Sequence, residues 1–161
     1  MDLYAFEDFF REHYPVVRRA LILGLGSIER AEDATQEAFV RACVRWPRVR
    51  EMERPAAWVY VTAVNVARDE GRRAGRRSPT QPRQPVATLC DETTSVIARL
   101  DIADALEVLA PRQRLAVVLR YLASLQNDEV ARAMNCSVGT VKSTLHSALK
   151  NLRVELEEAK P

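Results

Sequence analysis

Pro79, Pro82 and Pro85 stand three residues apart in the middle of a chain whose remaining sequence carries almost unbroken helical periodicity. Proline lacks the amide donor that a helix interior needs, and its ring collides with the preceding turn, so no regular helix passes through this stretch. Ser, Thr and Gln surround the prolines, and few large apolar residues are there to bury. The spacing predicts an extended, mobile linker over 78–94 with a helical bundle on each side, at 1–77 and 95–161. Bundles this small bury too little surface to be very stable alone. Two halves that shift relative to one another until a partner orders them are the expectation.

Everything outside the linker points to an all-α fold. Only five glycines occur in 161 residues, and no long segment alternates apolar and polar residues. Phe6, Phe10, Tyr14, Val17 and Leu21 mark one face of a first helix, which breaks at Leu23–Gly26. Ser27 is suited to cap the next helix, where Ala31, Ala34, Ala38, Ala42 and Trp46 share a side until Pro47 stops it. Pro55 opens a third helix running to about Arg73, with Trp58, Val61 and Val64 as apolar anchors. In the second half, Ile97, Leu100, Ala103 and Leu106 mark one helix, and Leu115, Val118, Leu119 and Leu122 the helix after Pro111. Asn127 is the expected cap of a short helix carrying Val130, Ala131 and Met134. Asn135–Ser137 then turns the chain into a last helix striped by Val138, Val141, Leu145, Leu149 and Leu152.

Several function classes fall away. Cys43, Cys90 and Cys136 are odd in number and far apart, and neither His13 nor His146 has ligands at metal spacing, so no disulfide framework, metal or other cofactor is expected. No nucleophile–base pair, carboxylate pair or glycine-rich phosphate loop argues for an enzyme. No apolar run approaches the roughly 20 residues that cross a bilayer. The opening MDLYAFEDFF is acidic and aromatic rather than leader-like. A cytoplasmic protein without membrane contact of its own is the expectation.

Charge placement is more informative than the net charge of +2. Arg68 to Arg83 holds six arginines against Asp69 and Glu70, and Arg132 to Arg153 holds four basic residues and no acid. Two separated basic stretches on a balanced chain fit two polyanion contacts. The second coincides with a helix-turn-helix pattern over 127–153, in which a short helix supports another whose polar face can enter a major groove. Ser137, Thr140, Lys142, Ser143, His146, Ser147 and Lys150 lie off the apolar stripe of that second helix, where hydroxyls and amines reach base edges and phosphates.

AEDATQEAF (31–39), WVYVTAVNVARDEGRR (58–73) and LAPRQRLAVVLRYLASLQNDEVARAMNCSVGTVKS (109–143), in this order and around such a linker, resemble the bacterial RNA polymerase sigma factors of the extracytoplasmic-function (ECF) type. The resemblance implies a region 2 bundle over 1–77 and a region 4 bundle over 95–161. It also implies core RNA polymerase as partner, through its β′ coiled coil and β flap, together with promoter DNA and an anti-sigma factor acting in trans. By that likeness Asp33, Gln36, Glu37 and Arg41 bind polymerase. Arg48, Arg50, Arg54, Trp58, Asn65, Arg68, Arg72, Arg73 and Arg76 open and hold the −10 element, with Arg77 beside them on phosphate. The polar face from Ser137 to Lys150 reads the −35 element. Relatives often carry arginines where this chain has Thr144 and Ser147, so fewer phosphate contacts are expected there. Two other readings are an autonomous helix-turn-helix regulator, which lacks a dimerising heptad here, and a sigma-like adaptor that binds polymerase without opening DNA.

Overall fold

The computed structural model describes residues 2–75 and 96–158, with side chains of 96–101 excepted. Arg76, Arg77 and the linker over 78–94 lie outside the described residues. Among the described residues the chain is helical and has no strand. Its elements are α1 (Leu3–Leu25), α2 (Ile28–Val44), the short α3 (Trp46–Val49), α4 (Pro55–Gly75), α5 (Val96–Glu107), α6 (Pro111–Val117), α7 (Asn127–Met134) and α8 (Val138–Glu158). A wider π turn over Val118–Leu122 continues α6.

Local chemistry explains the boundaries of the first half. Asp2 caps α1 by accepting the Ala5 N–H at 3.2 Å. Gly26 ends that helix in the left-handed region, at φ 68°, and returns its N–H to the Ile22 carbonyl. Ser27 caps α2 through the Arg30 N–H, as its sequence position predicts. Ala31, Ala34, Ala38 and Ala42 are fully buried, so α2 approaches α1 and α4 closely along a seam of methyl groups. Arg18 donates from Nη2 and Nε to a single Glu32 oxygen, at 2.5 and 3.0 Å, and so ties α1 to α2. Phe6, Phe9, Phe10, Tyr14, Phe39 and Trp46 form an aromatic cluster at the other end of the bundle. Trp46, 4% exposed, is thus a core residue.

The second half shows three departures from the sequence reading. The α7 cap is Gln126, one residue before Asn127, and the Glu129 carboxylate accepts the Gln126 N–H at 3.1 Å. The Asn127 Oδ1 is buried without a partner. Leu122, expected in the buried stripe, is 43% exposed because the π turn rotates it off the core face. Val138, Leu149 and Leu156 are exposed as well, leaving Val141, Leu145 and Ala148 to anchor α8. Asn135 makes the helix-turn-helix corner at φ 52°, a conformation its short polar side chain tolerates.

The larger departure concerns the two bundles. They share one continuous core, rather than standing apart as their size predicts. The C-terminal half of α1 packs on α6 and its π turn, and α4 packs along α7. The physical reason is the small-residue end of α1. A side chain on Gly24 would begin 3.0 Å from Leu115 Cδ1, so hydrogen at that position lets the helices meet. Burial of Val118, Leu119 and Leu125 at this junction contributes roughly 1.5–3 kcal/mol per side chain.

Candidate nucleic-acid and polymerase interfaces

Helix α4 organises the first half by presenting different residues on different faces. Arg54, Trp58, Val61, Asn65, Arg68 and Arg72 recur at spacings of three and four and form one stripe along the helix and its leading residue. Five of the candidate −10 residues, Arg54, Trp58, Asn65, Arg68 and Arg72, therefore share one face. Asn65 accepts a hydrogen bond from Arg68 Nη2 at 3.1 Å. The Nε and Nη1 of Arg68 are shielded and lack a hydrogen-bond partner. Such an under-satisfied guanidinium is costly until an anion or acceptor reaches it. Arg72 is exposed beyond it.

Arg73 falls on a different face. With Val66, Asp69 and Glu70 it lines a groove between α4 and α2, whose other wall is Asp33, Gln36, Glu37, Val40 and Arg41. All four candidate polymerase residues are therefore brought together, and Arg73 joins them rather than the −10 stripe. Glu37 accepts from Arg41 Nε at 2.7 Å, an exposed pair one turn apart. Asp69 and Glu70 were not singled out as site residues by the sequence reading. Their spacing from Val66 and Arg73 on one helical face was the signal available.

The segment before α4 is less open than expected. Arg48 and Arg50 are exposed, Arg48 in α3 and Arg50 just after it, and Arg50 lies 3.4 Å from Asp2. Arg54, in contrast, reaches into the second half. It donates from Nη1 to the Glu129 carboxylate and from Nη2 to the Ser124 carbonyl at 2.8 Å. Trp58 and Val61, partly buried, line a cleft with Gln126, Asp128, Glu129 and Arg132 of the other half.

On α8, Ser137, Thr140, Lys142, Ser143, His146, Ser147 and Lys150 are all exposed, as expected of a groove-reading face. Ser137 also caps the helix: its hydroxyl accepts the Thr140 N–H at 3.1 Å and pairs with the Thr140 hydroxyl at 2.9 Å. Ser143 donates to the Thr140 carbonyl at 3.0 Å. Thr144 is half-buried and Ser147 exposed. From Val138 to Lys150 the helix has no acid, whereas Glu155, Glu157 and Glu158 close it. Among the described residues no group of His, Cys, Asp and Glu is placed to hold a metal, and no helix is long and apolar enough to cross a membrane.

A helical groove lined by carboxylates, a basic stripe with a half-buried tryptophan and a basic helix-turn-helix define a DNA-binding protein with an additional protein-docking face. Residues 9–77 match the Sigma-70 region 2 family and residues 99–152 the Sigma-70 region 4 family. The RNA polymerase sigma-E factor of Streptomyces avermitilis is 36% identical over 153 residues, covering 94% of this chain and 85% of that one. The ECF RNA polymerase sigma factor SigL of Mycobacterium tuberculosis H37Rv is 34% identical over 154 residues, covering 92% and 87%. In fold, the chain resembles the sigma factor RpoE solved with the anti-sigma factor NepR from Bartonella quintana, with a TM-score of 0.78 at 20% identity over 97% of this chain and 99% of that one. It also resembles CnrH solved with the cytosolic domain of CnrY, at 0.62 and 21% over 99% and 92%. The chain belongs to the ECF group of the sigma-70 family. It is a sigma factor, the subunit that binds core RNA polymerase and directs initiation at particular promoters.

Proposed function

We propose that the two halves divide the work of promoter recognition as their surfaces divide. The half over 1–77 docks on the polymerase β′ coiled coil through the α2–α4 groove, with Asp33, Gln36, Glu37 and Arg41 on one wall and Arg73 on the other. An acid-lined groove suits an arginine-bearing helix, because paired charges fix register as well as adding affinity. The stripe of Arg54, Trp58, Asn65, Arg68 and Arg72 captures the −10 element, with Arg48 and Arg50 beside it. The alignment of these residues along one face of α4, with Arg72 exposed at its end, is the observation that carries this assignment. Trp58 offers a ring on which an unstacked base can rest, and the cations track the exposed strand.

The half over 95–161 faces the β flap and reads the −35 element with α8. Lys142 and Lys150 contact phosphates, while Ser143, His146 and Ser147 reach base edges. The chain performs no catalysis of its own and works in the cytoplasm, where its polymerase resides. An anti-sigma factor in trans restrains it, a reading supported by the solved complexes of proteins with this fold.

Promoter opening by the full chain with core polymerase on a randomised promoter pool tests the division. A two-part enriched motif with polymerase-dependent melting is the expected result. Arg72→Ala is expected to lose melting while retaining polymerase binding. Loss of polymerase binding instead would move Arg72 to the docking face.

A further inference from the structure

Gly71 stands in the last turns of α4, where glycine gives up the helix propensity and packing that other residues would supply. The room it leaves is used by another helix. Arg30, in the first turn of α2, crosses to α4 and donates from Nη2 to the Ala67 carbonyl at 3.3 Å. A Cβ on Gly71 would begin 3.3 Å from the same nitrogen. The bare flank of α4 is thus a seat for one guanidinium.

No ion pair to Arg30 forms among the described residues. Glu32, two residues on, is engaged by Arg18. Glu70, the acid beside Gly71, lines the α2–α4 groove. Arg30 is half-buried, so part of it still meets solvent. Its seat makes this unspent charge informative. Ala67 and Gly71 each precede a residue of the −10 stripe, Arg68 and Arg72, and successive residues of a helix are turned through about 100°. Arg30 therefore borders the C-terminal part of the stripe from a second helix. Cations gathered in this way repel one another until an anion lies among them.

We propose that Arg30 is a further promoter contact, a phosphate clamp delivered by α2 and aimed by the Ala67 carbonyl and the bare flank of Gly71. The clamp rests on the −10 assignment given above. Arginine suits the task, because its planar fork keeps one N–H on the carbonyl and offers others to phosphate oxygens. Such a contact adds affinity and register without reading a base.

The full chain with core polymerase, titrated with the promoter most enriched from the randomised pool over a range of KCl concentrations, tests the clamp. Arg30→Gln keeps an amide donor for the Ala67 carbonyl and removes the charge. It is expected to weaken binding by roughly five- to tenfold at about 0.1 M salt, and to lower the slope of log affinity against log salt by about 0.7–0.9. The urea midpoint is expected to stay at the wild-type value. Neutral methylphosphonates placed one at a time through the −10 element then locate the phosphate. At one position the wild type is expected to lose as much affinity as Arg30→Gln has lost, and Arg30→Gln to lose nothing more. A lowered urea midpoint with an unchanged salt slope would mark a tie between α2 and α4 and overturn the clamp. A slope loss that no methylphosphonate position cancels overturns it as well. Arg72→Ala in the same titration keeps the two ideas apart. Silence of Arg30→Gln beside a responsive Arg72→Ala overturns the clamp alone, and silence of both overturns the −10 assignment with it.

Discussion

The guanidinium of Arg114 lies where a side chain on Gly26 would have to begin: a Cβ there would sit 2.6 Å from Nη2. Arg114 is 2% exposed, so its head has little room to move aside. Glycine at this position serves two ends, the left-handed turn that finishes α1 and the entry of Arg114 between the halves.

Gly26→Ala is therefore expected to destabilise the chain. The left-handed conformation alone costs an alanine about 1–2 kcal/mol, and displacement of Arg114 adds to it. Urea unfolding followed by circular dichroism measures the loss, and a midpoint equal to wild type would show that the turn relaxes without cost.

Tyr60 gives stability a specific alkaline limit. Burial pushes its phenol from 10.0 up to about 12, since the charged form is poorly solvated among the side chains of α4 and its neighbours. Below pH 10 both folded and unfolded chains keep the proton, and this group adds no pH dependence. Between pH 10 and 12 the unfolded chain releases it first, so stability falls by on the order of 2–3 kcal/mol. In Tyr60→Phe that share of the fall is expected to disappear from denaturant midpoints measured across the same range.

Lys142 and Lys150 stand on the exposed face of α8 with no acid between them. Each is expected to neutralise one phosphate, so alanine at either weakens binding to all −35 sequences alike. The slope of log affinity against log salt falls by about 0.9 for each lysine lost. Altered sequence preference at unchanged slope would instead mean that the lysine reads a base.

The groove between α2 and α4 predicts a charge-reversal phenotype. Asp33→Arg with Glu37→Arg is expected to abolish binding to core polymerase in a pull-down while leaving the fold intact, because Asp33 is exposed and Glu37 half-exposed. Single-stranded DNA binding by the same variant should be unaffected. Retained polymerase binding would move the docking face elsewhere.

The sequence made helix identity legible where local chemistry dominates. Ser27, Pro55, Pro111 and the alanines of α2 announce their roles through capping, missing donors and small size. Trp46 was expected in the core and lies there, T-shaped against Phe6 at 5.4 Å. The π turn at Val118–Leu122 had no such signal, since the extra residue in the turn is set by packing against α1, and Leu122 moved out of the core with it. The union of the two halves was hidden for a similar reason. Gly24 and Gly26 read as a helix break, and nothing local says that their bare surfaces receive Leu115 and Arg114. Arg73 lies beside Arg72 in sequence but on the α2–α4 groove, because one step along a helix turns a side chain through about 100°.

The acid-free start and acidic finish of α8 give the helix a sense as well as a surface. Its 21 residues extend about 31 Å. Phosphates welcome the end near Ser137 and repel the end at Glu155–Glu158, so the helix is keyed to enter one way round. A single copy reading DNA in this manner would see no dyad in its site. The promoter it marks is an arrow, and the polymerase it brings is pointed downstream before the first bond is made.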